Sequence, residues 1–236
     1  MVLFYPEKQL RLLLLLLHCL KMSPLSLSLW IAVWASSIAL VVGALLAWIV
    51  VRFKFRGKWL IEGLIMSPLV LPPTLVGYYL LVLLGQRGLG PLTEQFLGFR
   101  FVFSVSGAIV AAVVVALPLV FQTVQVSIAE INRDVEDAAR VDGCNERSLF
   151  WYIILPLIWR GLLAAGLLGF LRALGDFGTT LMVAGNIPGR TQTLSMAVYD
   201  AVQANDINGA NSLALLLTTI GFGLIFLVFW IRQRPG

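Results

Sequence analysis

The sequence predicts an all-α fold, a polytopic membrane helix bundle, and three observations carry that prediction. Of 236 residues, 59% are hydrophobic and only 12% charged, against about half and about a quarter in soluble domains. Mean hydropathy is +0.92, so there is too little polar surface to coat a globule in water. The apolar residues also gather into five runs, 29–51, 59–84, 105–128, 150–174 and 213–231, and a spanning helix needs about 20 such residues. The runs are continuous, without the alternating segments of about ten residues that barrel strands show.

Ahead of the first run lies an N-terminal extension, residues 1–23, containing "KQLRLLLLLLHCLK". Its apolar stretch is too short to span and resembles the core of a signal peptide, yet no small-residue cleavage site follows. Two readings stay open: an interfacial helix, or translation starting at Met22, whose "MSPLSLSLW" leads into the first run. The membrane domain proper is 24–236.

The first run ends in "RFKFRGK", with Arg52, Lys54, Arg56 and Lys58. The second is interrupted by "SPLVLPPTLVG", which places Pro68, Pro72, Pro73 and Gly77 inside a span. Proline removes backbone hydrogen bonds, and in a bilayer the freed groups must be buried or face a watery cavity. A hinge or pore wall suits such a break; a static kink against neighbouring helices is the alternative. The loop after the third run carries Arg133, Arg140 and Arg147, and Arg232 and Arg234 follow the fifth. The other loops hold only Arg87, Arg100 and Arg190. Lysine and arginine favour cytoplasmic loops, which puts the loop at 130–150 and the C-terminus in the cytoplasm and the residues before the first span outside.

That cytoplasmic loop reads "DAARVDGCNERSLFWYIILP" over 137–156. Asp134, Glu136 and Asp137 fall in the first turns of a short helix, where the dipole favours acids. Ala138 and Ala139 are small enough for another surface to approach. Gly143 ends the helix, and a second helix starts near Asn145 or Glu146, with Pro156 in an early turn. On residues alone, a docking surface and a solvated connector both remain open.

The spacing Asp137-Ala138-Ala139, three residues, Gly143, nine residues, Ile153-x-Leu155-Pro156 resembles the EAA loop of ABC-transporter permeases. It departs from that pattern only in having Asp137 for glutamate, with Glu136 just before it. The stretches 67–91 and 170–199 are similar to molybdate ABC permeases, and the likeness covers residues 24 to 232; sulfate/thiosulfate permeases share the loop but match these stretches less well. The resemblance implies a type I ABC importer transmembrane domain whose loop docks on a separate ATPase subunit, present in two copies. It further implies a homodimer with the pathway on its two-fold axis, and an extracytoplasmic molybdate-binding protein. ATP and Mg would bind the partner subunit, and this chain would bind no cofactor. Tungstate, close to molybdate in size and charge, fits the same reading.

In "RALGDFGTT", Arg172 and Asp176 are one helical turn apart near the far end of the fourth span. Charges at membrane depth are usually functional. Arg172 either presents positive charge to an anion, tempered by Asp176, or forms an interfacial ion pair that fixes the helix. Thr179 and Thr180 supply hydroxyls suited to an oxyanion path, and Arg190 in "NIPGRTQT" suits the outer face.

Several classes are excluded or weakened. No G-x-x-x-x-G-K-[ST] loop is present, so this chain does not bind ATP in that way. A single histidine, His18, rules out a histidine-built metal site, and Cys19 and Cys144 lack metal spacing. The net charge of +5 resides in short loops beside apolar runs, which reads as a topology signal and not as nucleic-acid binding. No catalytic constellation is visible. An ion-gradient-driven carrier is the rival from another class; it calls for inverted repeats and a midplane ion site, and no convincing repeat is seen.

Overall fold

The computed structural model describes residues 23–53 and 55–233, and every regular element among them is a helix. The expectations for the N-terminal extension fall on residues outside that set. In chain order the helices are α1 (Pro24–Arg52), α2 (Lys58–Val70), α3 (Pro73–Leu84), α4 (Gly90–Leu97), α5 (Val105–Ala129), α6 (Arg133–Val141), α7 (Glu146–Leu174), α8 (Gly178–Ala184), α9 (Leu194–Gln203) and α10 (Ile207–Gln233). Among the described residues, α1, α5, α7 and α10 are long and apolar enough to cross a membrane unaided.

Three of these, α1, α5 and α7, form the core. On α1, Ala32, Ala35, Ser36, Ala39, Gly43 and Ala47 recur every three or four residues and are all buried. They share a face because of the helical repeat, and they pack on the buried Ala108, Ala112 and Ala116 of α5. Lipid is as apolar as leucine, so spans associate through close packing of small residues and not through a hydrophobic drive. The approach is tight: a Cβ on Gly43 would lie 2.9 Å from Val120 Cγ1, and one on Gly169 of α7 would lie 2.7 Å from Val120 Cγ2. The opposite face of α1 exposes Trp30, Val33, Trp34, Val41 and Leu45, as a lipid-facing surface should.

The second predicted span is not one rod. α2 and α3 meet at a bend of 117°. The cause is local: Leu71 and Pro72 each precede a proline and are driven to extended backbone, with ψ of 142° and 136°. Pro68 inside α2 also withholds a donor from the Leu64 carbonyl, and the Ser67 hydroxyl donates to that oxygen instead, at 2.8 Å. The pair nonetheless carries the chain from one end of α5 towards the other. Glu62 of α2 accepts from Gln125 at 2.8 Å, whereas Leu84 of α3 packs with Ala111 and Val183. Residues 111 and 125 are about 21 Å apart along a helix, so α2 and α3 together reach along much of α5, and the described helices make four spans, or five with this bent pair counted as one.

The two ends of the bundle are thereby defined. One holds the C-termini of α1 and α5, the hairpin built on α6, and the start of α7. The other holds the N-terminus of α1, α8 and α9, joined where the Leu194 N–H donates to Ser28 Oγ at 2.7 Å.

Candidate functional site: a capped hairpin at one end and a helix crossing at the other

The hairpin is built by its caps. Asn132 Oδ1 accepts from the Asp134 N–H at 3.0 Å, Asp134 and Glu136 occupy the first turn of α6, and Arg140 the last, so both ends complement the dipole. At the exit, the Cys144 N–H donates to the Ala139 carbonyl at 3.0 Å and the Gly143 N–H to the Arg140 carbonyl at 3.1 Å. This is a Schellman closure, and it requires the left-handed φ of 89° that Gly143 adopts. Asn145 then caps α7 by accepting from the Ser148 N–H at 2.8 Å.

Helical phase divides the predicted docking residues. Asp137 and Ala138 are exposed, as is Val141 at 87%. Glu136 and Ala139, three residues apart, are buried at 3% and 8% exposure. Where the sequence led us to expect two alanines on the outer surface, Ala139 instead packs in the core with Ile128 and Leu149.

Glu136 is held by Arg52, the last residue of α1. The guanidinium Nη1 and Nη2 donate to the two carboxylate oxygens at 2.5 and 2.6 Å, and its centre lies 4.6 Å from the Trp48 ring centroid. Arg140 donates to Glu146 and Asp137, each at 2.9 Å, and approaches Glu136 at 3.6 Å. The hydrogen bond to Glu146 is the main reason the Arg140 guanidinium titrates above its ordinary range.

Leu155 is half-buried and Pro156 exposed. They close a π-helical turn, Phe150–Ile154, where the Leu155 N–H donates to the Phe150 carbonyl. Pro156 has no N–H to offer Tyr152, and the widened turn is the local response.

At the other end, the structure joins two stretches that the sequence left separate. α3 crosses α8 almost backbone on backbone. A Cβ on Gly77 would lie 2.7 Å from Met182 Cβ and 3.0 Å from the Thr179 carbonyl oxygen. A Cβ on Gly178 would lie 3.2 Å from Pro73 Cβ. The Thr179 hydroxyl donates to the Pro73 carbonyl at 3.1 Å. Thr180 donates to Asp176 Oδ2 through its N–H at 2.9 Å and its hydroxyl at 2.6 Å, so Asp176 caps the start of α8. Thr179 and Thr180 are fully buried; the first hydroxyl bonds across the crossing and the second bonds the Asp176 cap. Arg172 Nη1 lies 3.7 Å from Asp176 Oδ1, an oxygen with no hydrogen-bond partner.

Arg190 is exposed on the turn after α8. Asp200 of α9 braces that turn by accepting from Asn186 and Gln192, each at 2.6 Å. Neither this brace nor a cleft of about 700 Å³ between α5 and α7, lined by Gln122, Thr123, Ser127 and Arg160, was foreseen. Isolated polar residues at such positions carry no spacing signal; only their convergence in space does.

The family model of the binding-protein-dependent transport system inner membrane component matches residues 39–234. The molybdenum transport system permease protein ModB of Haemophilus influenzae is 38% identical over 218 residues, covering 91% of this chain and 95% of its own length. ModB of Escherichia coli is 35% identical over 89% of this chain and 94% of its own. The "Probable sulfate transport system permease protein cysT" of Marchantia polymorpha is 30% identical over 84% and 68%. Among solved structures, a bacterial ABC transporter for import of the acidic polysaccharide alginate superposes with a TM-score of 0.68 at 14% identity, over 89% of this chain and 79% of that one. That likeness speaks for the fold, a type I ABC importer transmembrane domain. With the matched region and the hairpin together, the chain belongs to the binding-protein-dependent transport system inner membrane components, the membrane-spanning permease subunits of ABC transporters.

Proposed function

We propose that this chain is the permease of an ATP-driven molybdate importer. It works as a homodimer beneath an extracytoplasmic molybdate-binding protein and above two copies of a separate ATPase subunit. ATP and Mg bind the ATPase, and this chain contributes the pathway and the docking hairpin. One observation carries the reading: a rigid, doubly capped helix displays Asp137, Ala138 and Val141 at one end of the bundle. A short helix with a small, acidic and apolar outer face, closed by a glycine, is a ready insert for a groove on a soluble partner. The hairpin and the C-terminus face the cytoplasm, as the arginine and lysine distribution favours.

Molybdate is preferred over sulfate because the molybdenum relatives match more of their own length at higher identity than the sulfate one does. A dianion entering a low-dielectric passage needs positive potential and donors. Arg190, exposed on the outer turn, and Arg172, with its side chain 27% exposed, supply the charge. Pro68, Pro72, Pro73 and Gly77 shape the bent wall between them and the membrane interior. Transport proceeds by alternating access, with ATP binding drawing the two hairpins together.

Reconstitution tests this. Uptake of molybdate into proteoliposomes should require ATP, the ATPase subunit and the binding protein. Uptake driven by a proton or sodium gradient through this chain alone would favour the secondary-carrier reading instead.

A further inference from the structure

The Arg52–Glu136 pair joins residues 84 apart in sequence, and its placement is informative. α6 is connected covalently to α5 and α7 through short turns. To α1 it has no covalent connection, and among the described residues no other hydrogen bond or ion pair joins the two. The Glu136 side chain is 4% exposed and that of Arg52 22%. A pair so buried contributes little net stability, because desolvation offsets attraction. What it supplies is direction, since a two-pronged guanidinium–carboxylate contact fixes both distance and orientation. Arg52 is itself fixed, stacked over Trp48 one turn earlier, and Trp48 meets Phe150 of α7 edge-on at 5.1 Å.

We propose that Arg52 is a positioning residue for coupling: it ties the ATPase-facing helix α6 to the cytoplasmic end of α1. The inference rests on the function proposed above. Through this tie, a displacement of α6 moves α1 as well as α7. The small-residue seam between α1 and α5 is too close to absorb that movement side chain by side chain, so α1 moves as a rod. Without the tie, α6 still docks, but its motion is not passed to α1.

The test uses paired substitutions, because either single one leaves a largely buried charge without its two-pronged partner. Arg52→Gln with Glu136→Gln removes both charges, keeping the shape at 136 and shortening the side chain at 52. Arg52→Glu with Glu136→Arg restores the pair in reverse. In proteoliposomes holding the full complex, the number of molybdate ions imported per ATP hydrolysed should fall about fivefold or more in the neutral double variant, in the range of an ordinary coupling energy. It should recover at least partly in the exchanged one. A role in stability alone would lower the amount of active complex and leave that ratio unchanged. As a second readout, α6 amides in the purified chain should exchange hydrogen faster in the neutral variant, while those of α5 do not. A wild-type ratio together with wild-type exchange at α6 would overturn the proposal. Absence of ATP-driven uptake in the unsubstituted complex would overturn the functional reading, and the coupling role with it, while exchange at α6 would still report whether the tie exists.

Discussion

Gly143 offers a sharp test of the hairpin, because its requirement is conformational and not spatial. Its φ is 89°, and a Cβ built there would meet nothing within 4 Å. Gly143→Ala therefore costs only the left-handed backbone, about 1–2 kcal/mol. Asparagine tolerates that region better than alanine, and a β-branched valine tolerates it worse. The strain has one easy outlet: releasing the Schellman bonds from Cys144 and Gly143 to Ala139 and Arg140. One to two kcal/mol corresponds to a factor of about 5–30 in the population of the closed hairpin. The packed core of α1, α5 and α7 is not touched, so thermal unfolding should shift little. The assay is ATP-driven uptake in the reconstituted complex, read beside amide exchange at Cys144. Both should rank Gly143 first, then Asn, Ala and Val. Asparagine is larger than alanine, so the predicted order of these two inverts their order of size. Asn worse than Ala, or Val equal to wild type, would refute the argument.

Further predictions follow from the packing. Gly77→Ala drives a methyl into Met182 and the Thr179 backbone and should destabilise the protein by about 1–3 kcal/mol. Gly63→Ala, with nothing within 4 Å, should be neutral or stabilising by up to about 1 kcal/mol; thermal melts in detergent compare them. Ala138→Glu should leave protein level intact and abolish co-purification of the ATPase. Ala139→Glu, placing a charge in the core, should lower protein level itself, as immunoblots of membranes would show. In a background lacking Cys19 and Cys144, a cysteine at Arg56 should react with impermeant maleimide only from the cytoplasmic side, and one at Arg190 only from outside. Labelling of position 190 from the cytoplasm would contradict five crossings.

Much of the fold was legible because bilayer helices announce themselves by length and continuity. Gly143 and Asn145 were legible for a related reason: caps are local, and their residue preferences follow from backbone geometry. The bend between α2 and α3 was legible as a break but not as an angle. Consecutive prolines fix the backbone of Leu71 and Pro72, yet the direction of α3 depends on its crossing with α8. The inward turn of Glu136 and Ala139 was hidden because an acid on an amphipathic helix is ordinarily assigned outward. What reverses the assignment is Arg52, a partner too distant in sequence for any spacing rule. Thr179 read as a donor for an anion for the same reason: its acceptor, the Pro73 carbonyl, comes near only when α3 and α8 are brought together. Thr180 bonds Asp176 only four residues away, an acid that the sequence set against Arg172 instead. The short helices α4, α8 and α9 gave no signal above that of ordinary loops.

The central claim, an oxyanion permease worked by a docked ATPase, is tested most directly by ATPase stimulation in the reconstituted complex. The binding protein is supplied loaded with molybdate, tungstate or sulfate in turn, and hydrolysis is measured at saturating ATP. The account predicts that the molybdate- and tungstate-loaded forms accelerate hydrolysis, that the sulfate-loaded form does so weakly or not at all, and that Ala138→Glu removes the response to every form. Hydrolysis indifferent to the loaded binding protein, or undiminished in Ala138→Glu, would contradict it.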